Sequence, residues 1–459
     1  MRPGKRLAAG PFGKLAVVTM AAITALTVGG CAGAGSFGSG GEDTVTIAIV
    51  SNSQMQDAIS LSDKFEAENP GIKLKFVSLS ENEARAKITA SVATGGGEFD
   101  VVMISNFETP QWAENGWLVN LSDYARETPN YDEQDFIPSL RKSLSYDGDL
   151  YSVPFYGESS FLMYRKDLFE QAGLTMPAQP TWEEVAGFAA KLDDPDADMS
   201  GICLRGKPGW GEVLAPLDTV INAFGGRWFD ENWNAQLDSP EVRRAVQFYV
   251  DTVREHGEPG AATSGFSECA TQLAQGNTAM WYDATSAVSV LEDPAESTVV
   301  GKIGYAPAPA MAKADNGWLY SWSLAIPKTS QNPDAAWKFV SWMTSKDYIR
   351  TVGEELGWSR VPPGSRLSTY EIPEYKEASA AFGPPTLAAM AAADPEKPTV
   401  QPVPYTGIQF LTIPEFQDLG TRVSQQISSA VAGRTSVDDA LKQAQKYAEV
   451  VGKTYQEEQ

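Results

Sequence analysis

A chain of 459 residues, 42% hydrophobic and 21% charged, has the composition of an ordinary globular protein and the length for two or three domains. Its 36 basic and 59 acidic side chains give a formal net charge of −23, and no acid falls within the first 30 residues. Such a field repels phosphate backbones, which excludes nucleic acid as a partner, and a single histidine excludes a histidine-rich zinc site.

The chain opens on Arg2, Lys5, Arg6 and Lys14, then runs uncharged from Leu15 to Val28 before Gly29, Gly30 and Cys31. A basic start, a short apolar run and a small-residue cleavage site predict a secretory signal over 1–30. The run is shorter than the ~20 residues that span a bilayer, so it predicts a leader rather than an anchor. A cysteine directly after two small residues resembles the lipobox of bacterial lipoproteins. That resemblance implies cleavage before Cys31 and acylation of its sulfur; cleavage at an unmodified cysteine is the plainer alternative. Residues 31–43, rich in Gly and Ser, read as a flexible tether.

From residue 44 strand and helix patterns alternate. Val45, Ile47 and Ile49 share one strand face, 54–68 reads as a helix, and Ile72, Leu74 and Phe76 mark a second strand. A helix over 81–94 and a strand from Phe99 to Ile104 follow. This order predicts an α/β fold with a parallel sheet, whose ligands gather beyond the carboxyl ends of the strands. Those ends hold Ser53, Gln54 and Asn106, neutral hydrogen-bonding groups that equally suit helix caps. Further on, helices are expected from Thr181, from Ser239, over 334–345 and from Ser436, with a surface excursion over 388–404.

Chemistry-bearing motifs are few. Gly95-Gly96-Gly97 lacks the lysine and threonine of a phosphate loop, so no cofactor is expected. Asp230-Glu-Asn-Trp-Asn lacks calcium-loop spacing and reads as a turn. His256 reads as a helix end before Gly257 rather than as part of a catalytic triad. Cys203 and Cys269 can pair outside the cytoplasm or remain two buried thiols.

Whole segments carry more information. Phe99-Asp-Val-Val, Trp112-Ala-Glu-Asn-Gly-Trp-Leu-Val-Asn-Leu, Tyr164-Arg-Lys-Asp-Leu-Phe, Gln275-Gly-Asn-Thr-Ala-Met-Trp-Tyr-Asp283 and Gly317-Trp-Leu-Tyr-Ser-Trp322 resemble family 1 solute-binding proteins of bacterial ABC importers. The resemblance covers nearly all of residues 44–455. Tyr156-Gly-Glu-Ser-Ser160, Leu204-Arg-Gly-Lys-Pro-Gly-Trp-Gly-Glu212 and Gly265-Phe-Ser-Glu-Cys269 look most like the mannitol and sorbitol binders within it. It implies a two-lobed type II periplasmic-binding fold, each lobe a mixed, mainly parallel sheet flanked by helices, closing at hinge crossovers. The lobes are expected over 44–156 plus 281–328 and over 157–280 plus 329–459. It further implies a lipid-anchored protein on the outer face of the cell membrane, monomeric, partnered by a permease and binding a neutral polyol or saccharide. No catalysis is expected; a glycoside hydrolase and a ligand-sensing partner of a receptor are the alternatives.

A polyol presents a C–H face and a fringe of hydroxyls, which aromatic rings and charged hydrogen-bonding groups recognise. Trp210, Trp281, Trp322 and Trp358 sit among glycine, serine and polar neighbours and are the candidate platforms. Trp337 and Trp342 have helical core spacing instead. Glu158, Arg205, Glu212, Asp283 and Arg360 are the candidate hydroxyl partners, with a surface acid, a structural ion pair or a helix cap as the competing readings. Asp283→Ala is expected to weaken binding and leave the melting temperature unchanged.

Overall fold

The computed structural model describes residues 43–457; the leader, Cys31 and all but the last residue of the tether lie outside the described residues. Strand β1 (Asp43–Val50) buries Val45, Ile47 and Ile49 completely, as alternation on one face requires. It pairs in parallel with β2 (Ile72–Leu79) and β3 (Val101–Ser105). The helix expected over 54–68 is two helices, Ser53–Ser60 and Ser62–Glu68, that meet at Leu61. Ser60 Oγ and Ser62 Oγ donate back to the carbonyls of Asp57 and Ile59 at 2.8 and 2.7 Å, a local competition that breaks the helix.

A short hairpin, β4 (Ser145–Tyr146) and β5 (Asp149–Leu150), precedes β6 (Ser152–Glu158). One residue, the fully buried Ser159, separates β6 from β7 (Ser160–Arg165). That step carries the chain between two sheets. The first has the order β2-β1-β3-β10-β6, with β10 (Tyr320–Ala325) antiparallel to both its neighbours. In the second, β7 lies antiparallel between β8 (Met280–Ala284) and β9 (Ile303–Pro307). The α/β two-lobed arrangement is therefore present, but parallel pairing in the second lobe is confined to bridges such as Cys203 with Trp281.

Two expected boundaries are corrected. Segment 281–328 divides, because β8 and β9 pair with β7 and only β10 joins the first sheet. The helix Pro333–Met343, expected in the second lobe, packs on the first: Phe339 lies 5.6 Å from the Phe65 ring and 5.9 Å from that of Phe76. Trp337 and Phe339 of its aromatic stripe are core as the spacing implied, and Trp342 is half-buried beside them. The helices Phe416–Val431 and Val437–Glu457 pack on each other and on Pro240–His256 in the second lobe. His256 ends its helix before Gly257, and Asp230 caps a turn by accepting from the backbone of Asn232 and Asn234. The excursion over 388–404 begins inside the helix Gly383–Ala392 and is irregular beyond it. Among the described residues no helix is long and apolar enough to cross a membrane.

Candidate functional site

The carboxyl ends of β1, β2 and β6 open onto a cavity of about 470 Å³, shared with a loop and a helix start of the second lobe. Its first wall begins where β2 gives way to the helix Glu81–Ala93. Glu81 occupies the first turn, where the helix dipole favours an acid, and Arg85 lies one turn on. Arg85 Nε and Nη2 donate to Glu81 Oε1 at 3.0 and 2.9 Å, and Nη1 to Glu108 at 3.1 Å. Nη2 also reaches the Tyr320 hydroxyl at 2.6 Å. The guanidinium carbon stands 4.1 Å from the Trp210 ring centre and 4.6 Å from that of Trp322. Two indoles, one from each lobe, thus hold a cation between them.

The opposite wall is built around Arg205. Its Nε donates to Asp283 Oδ2 at 2.7 Å, Nη2 reaches Oδ1 of the same carboxylate, and Nη1 donates to the Gly211 carbonyl at 2.8 Å. Glu212 Oε1 is 3.2 Å from Lys207 Nζ, and Oε2 accepts from the Phe266 amide at 3.3 Å. This places the carboxylate at the start of the helix Phe266–Gln275. Gly265 permits that approach, since a Cβ there would lie 2.4 Å from Glu212 Oε2. A disulfide between Cys203 and Cys269 ties the Arg205 loop to the same helix.

Glu158 ends β6 opposite Tyr320 in the register of the first sheet. Its Oε2 accepts from Ser286 Oγ. Burial pushes its carboxyl up to about 8, against the opposing pull of Ser286 and Arg205. Glu212 is also raised, first by burial and then by Glu81. The indole Nε1 of Trp318 and the Gln409 Oε1, on residues that line the cavity, are buried without a partner.

Of the residues singled out from the sequence, Gln54, Glu158, Arg205, Trp210, Glu212 and Trp322 line this cavity. The other six are corrected. Ser53 faces Ser289 at 3.3 Å rather than the cavity. Asn106 accepts from the Ser321 amide at 3.0 Å and so joins the end of β3 to β10. Trp281 is fully buried, its Nε1 donating to Asp283 Oδ2 at 3.0 Å. Asp283 is also fully buried, and Arg205, Trp281 and the Ala284 amide occupy its oxygens. It orients Arg205 from behind. Trp358 packs over Gly353, where a Cβ would lie 2.4 Å from the ring. Arg360 spans Asp57, at 3.1 Å from Nε, to Asp293 and Glu296, and so links the helix Ser53–Ser60 to the segment after β8. The sequence reading missed Glu81, Arg85, Tyr156, Lys207, Phe266 and Tyr320, all at the cavity. Glu81 and Arg85 carried a usable signal: an acid and a base one turn apart at the carboxyl end of a strand.

Residues 50–349 match the family described as bacterial extracellular solute-binding protein. A mannitol-binding protein of Pseudomonas aeruginosa is 46% identical over 408 residues, 88% of this chain and 92% of that protein. An ABC transporter solute-binding protein from Agrobacterium vitis, solved with bound D-mannitol, superposes with a TM-score of 0.88 at 48% identity, covering 90% of this chain and 99% of that one. Another from Agrobacterium radiobacter, in complex with ribitol, gives 0.78 at 26% identity over 90% and 99% of the two chains. The two-lobed fold, the shared cavity and these relationships lead to one conclusion: the chain belongs to the bacterial extracellular solute-binding proteins.

Proposed function

We propose that this chain captures an uncharged linear polyol, D-mannitol foremost, and hands it to the permease of an ABC importer. The observation that carries the reading is the cavity itself, about 470 Å³ between the lobes, lined by indoles and by three bases that are each already paired with an acid. Paired charges offer hydroxyls strong hydrogen bonds without demanding a charged guest, and the rings cover a C–H face. The mannitol- and ribitol-bound relatives support the same ligand class. Ligand that touches both walls favours the closed population by its differential affinity for that state, and no bond is made or broken.

Calorimetry with D-mannitol, sorbitol and ribitol tests the proposal. Saturable heat with at least one, and recovery of the ligand chemically unchanged, is the expected result. A folded protein that gives none with any of them refutes it. Acylation of Cys31 belongs to the same reading: Cys31→Ala should move the protein from the membrane fraction into the medium.

A further inference from the structure

The charges around the cavity do not cancel. Five acids line it, Glu81, Glu83, Glu158, Glu212 and Glu268, against three bases, Arg85, Arg205 and Lys207. Each base is already engaged: Arg85 by Glu81 and Glu108, Arg205 by Asp283, and Lys207 by Glu212. Glu268 accepts from the Gly265 amide at the start of its helix, and Glu83 from Ser80 Oγ. Glu158 differs from Glu83 and Glu268 in being buried, and from Glu81 and Glu212 in having no cation paired with it. It is 6% exposed, it lines the cavity, and its carboxyl receives a hydrogen bond from Ser286 but forms no ion pair.

We propose that the site accepts cationic amino-polyols, in which a terminal ammonium replaces one hydroxyl, by pairing that ammonium with Glu158, and that it rejects the corresponding polyol carboxylates. The inference rests on the polyol reading above and extends its ligand class. A buried carboxyl without a cation is a group for which an ammonium supplies the missing partner. An added carboxylate meets the surplus of acids instead, and the three bases have no unpaired charge to offer it.

The proton inventory gives a readout specific to the pairing. The groups facing Glu158 are Tyr156 on its own strand, Tyr320 on β10, Glu81 and Arg85 on the first-lobe helix, Arg205 and Glu212 on the second-lobe loop, and Asp283 on β8. Burial keeps the carboxyl protonated at neutral pH, up to about 8. An ammonium beside it favours the ionised form, so the proton leaves to the buffer as the pair forms.

The experiment titrates the full-length protein at neutral pH with D-mannitol, 1-amino-1-deoxy-D-mannitol and D-mannonate, in two buffers of different ionisation enthalpy. The amino compound should bind within about tenfold of mannitol and release close to one proton, while mannitol releases none and mannonate binds at least about 100-fold more weakly. In Glu158→Gln the affinity ratio of amino compound to mannitol should fall at least about tenfold and the proton release should vanish. Binding of mannitol with no binding of the amino compound overturns this inference and leaves the polyol reading intact. So does an unchanged ratio in Glu158→Gln. Binding of the amino compound alone supports the pairing and overturns the neutral-polyol reading. Absence of binding by both overturns the two together.

Discussion

Asp283 illustrates how a residue can control a site without lining it. Its carboxylate is fully buried and holds the Arg205 guanidinium through two bonds. Removing one partner of a buried ion pair leaves the other charge uncompensated, at a cost of about 3–5 kcal/mol. Asp283→Ala should therefore lower the melting temperature of the free protein as well as weaken mannitol binding, contrary to the expectation of unchanged stability. A thermal melt beside a binding titration checks both halves. Glu158 makes a prediction of the opposite sign. Its carboxyl holds a proton up to about 8 when folded, against an ordinary value of 4.5. The folded state binds that proton more tightly, so its contribution to stability is whole below about pH 4.5 and is lost as pH rises through about 8. Glu158→Gln should melt at least ~2 °C above the parent protein once pH exceeds about 8, and show no such advantage below about 4.5. Parallel melting curves across that range would reject the assignment.

Among elements, the loop 203–212 and the helix Phe266–Gln275 make up most of the second-lobe wall. The loop bridges β8 only at Cys203 and meets the start of the helix through the Gly206 and Lys207 amides on the Ser264 carbonyl, and the cross-link between Cys203 and Cys269, 66 residues apart, adds a covalent tie between them. Closing a loop of that size contributes about 4 kcal/mol in the chain-entropy account. Replacing both cysteines by serine should cost up to that much stability in denaturant titrations. It should also weaken mannitol binding by about tenfold, because Arg205 and Glu212 lose a fixed separation from Phe266. Loss of stability with unaltered affinity would show that the loop holds its place without the bond. Arg360 performs a comparable service at the other rim, where it bridges acids on the helix Ser53–Ser60 and in the segment after β8.

For the molecule as a whole, the two sheets communicate through narrow connections, of which Ser159 is the shortest. Arg85 is held between Trp210 of one lobe and Trp322 of the other, contacts that bridge the cleft. Saturation with D-mannitol should reduce the radius of gyration measured by small-angle scattering, and Trp210→Ala should diminish that reduction. An identical radius with and without ligand would remove hinge closure from the account.

The alternation of Val45, Ile47 and Ile49 and the β-α-β order were enough to define the parallel part of the first sheet, β1 to β3, while the spacing of Trp337 marked it as core without saying which lobe it joins. Periodicity is local, and burial of one face follows directly from it. The quoted segments also reached the loop that carries Arg205, Trp210 and Glu212. Beyond this, neighbours distant in the chain decided the outcome. Asp283 and Trp281 read as ligand groups until β8 was found paired against β7 with their polar atoms turned to Arg205 and each other. Arg85 and Tyr320 lie 235 residues apart, and only the tertiary fold brings them into one hydrogen bond. A sequence sets which faces are apolar; which polar group meets which across a cleft depends on how the two lobes are brought together.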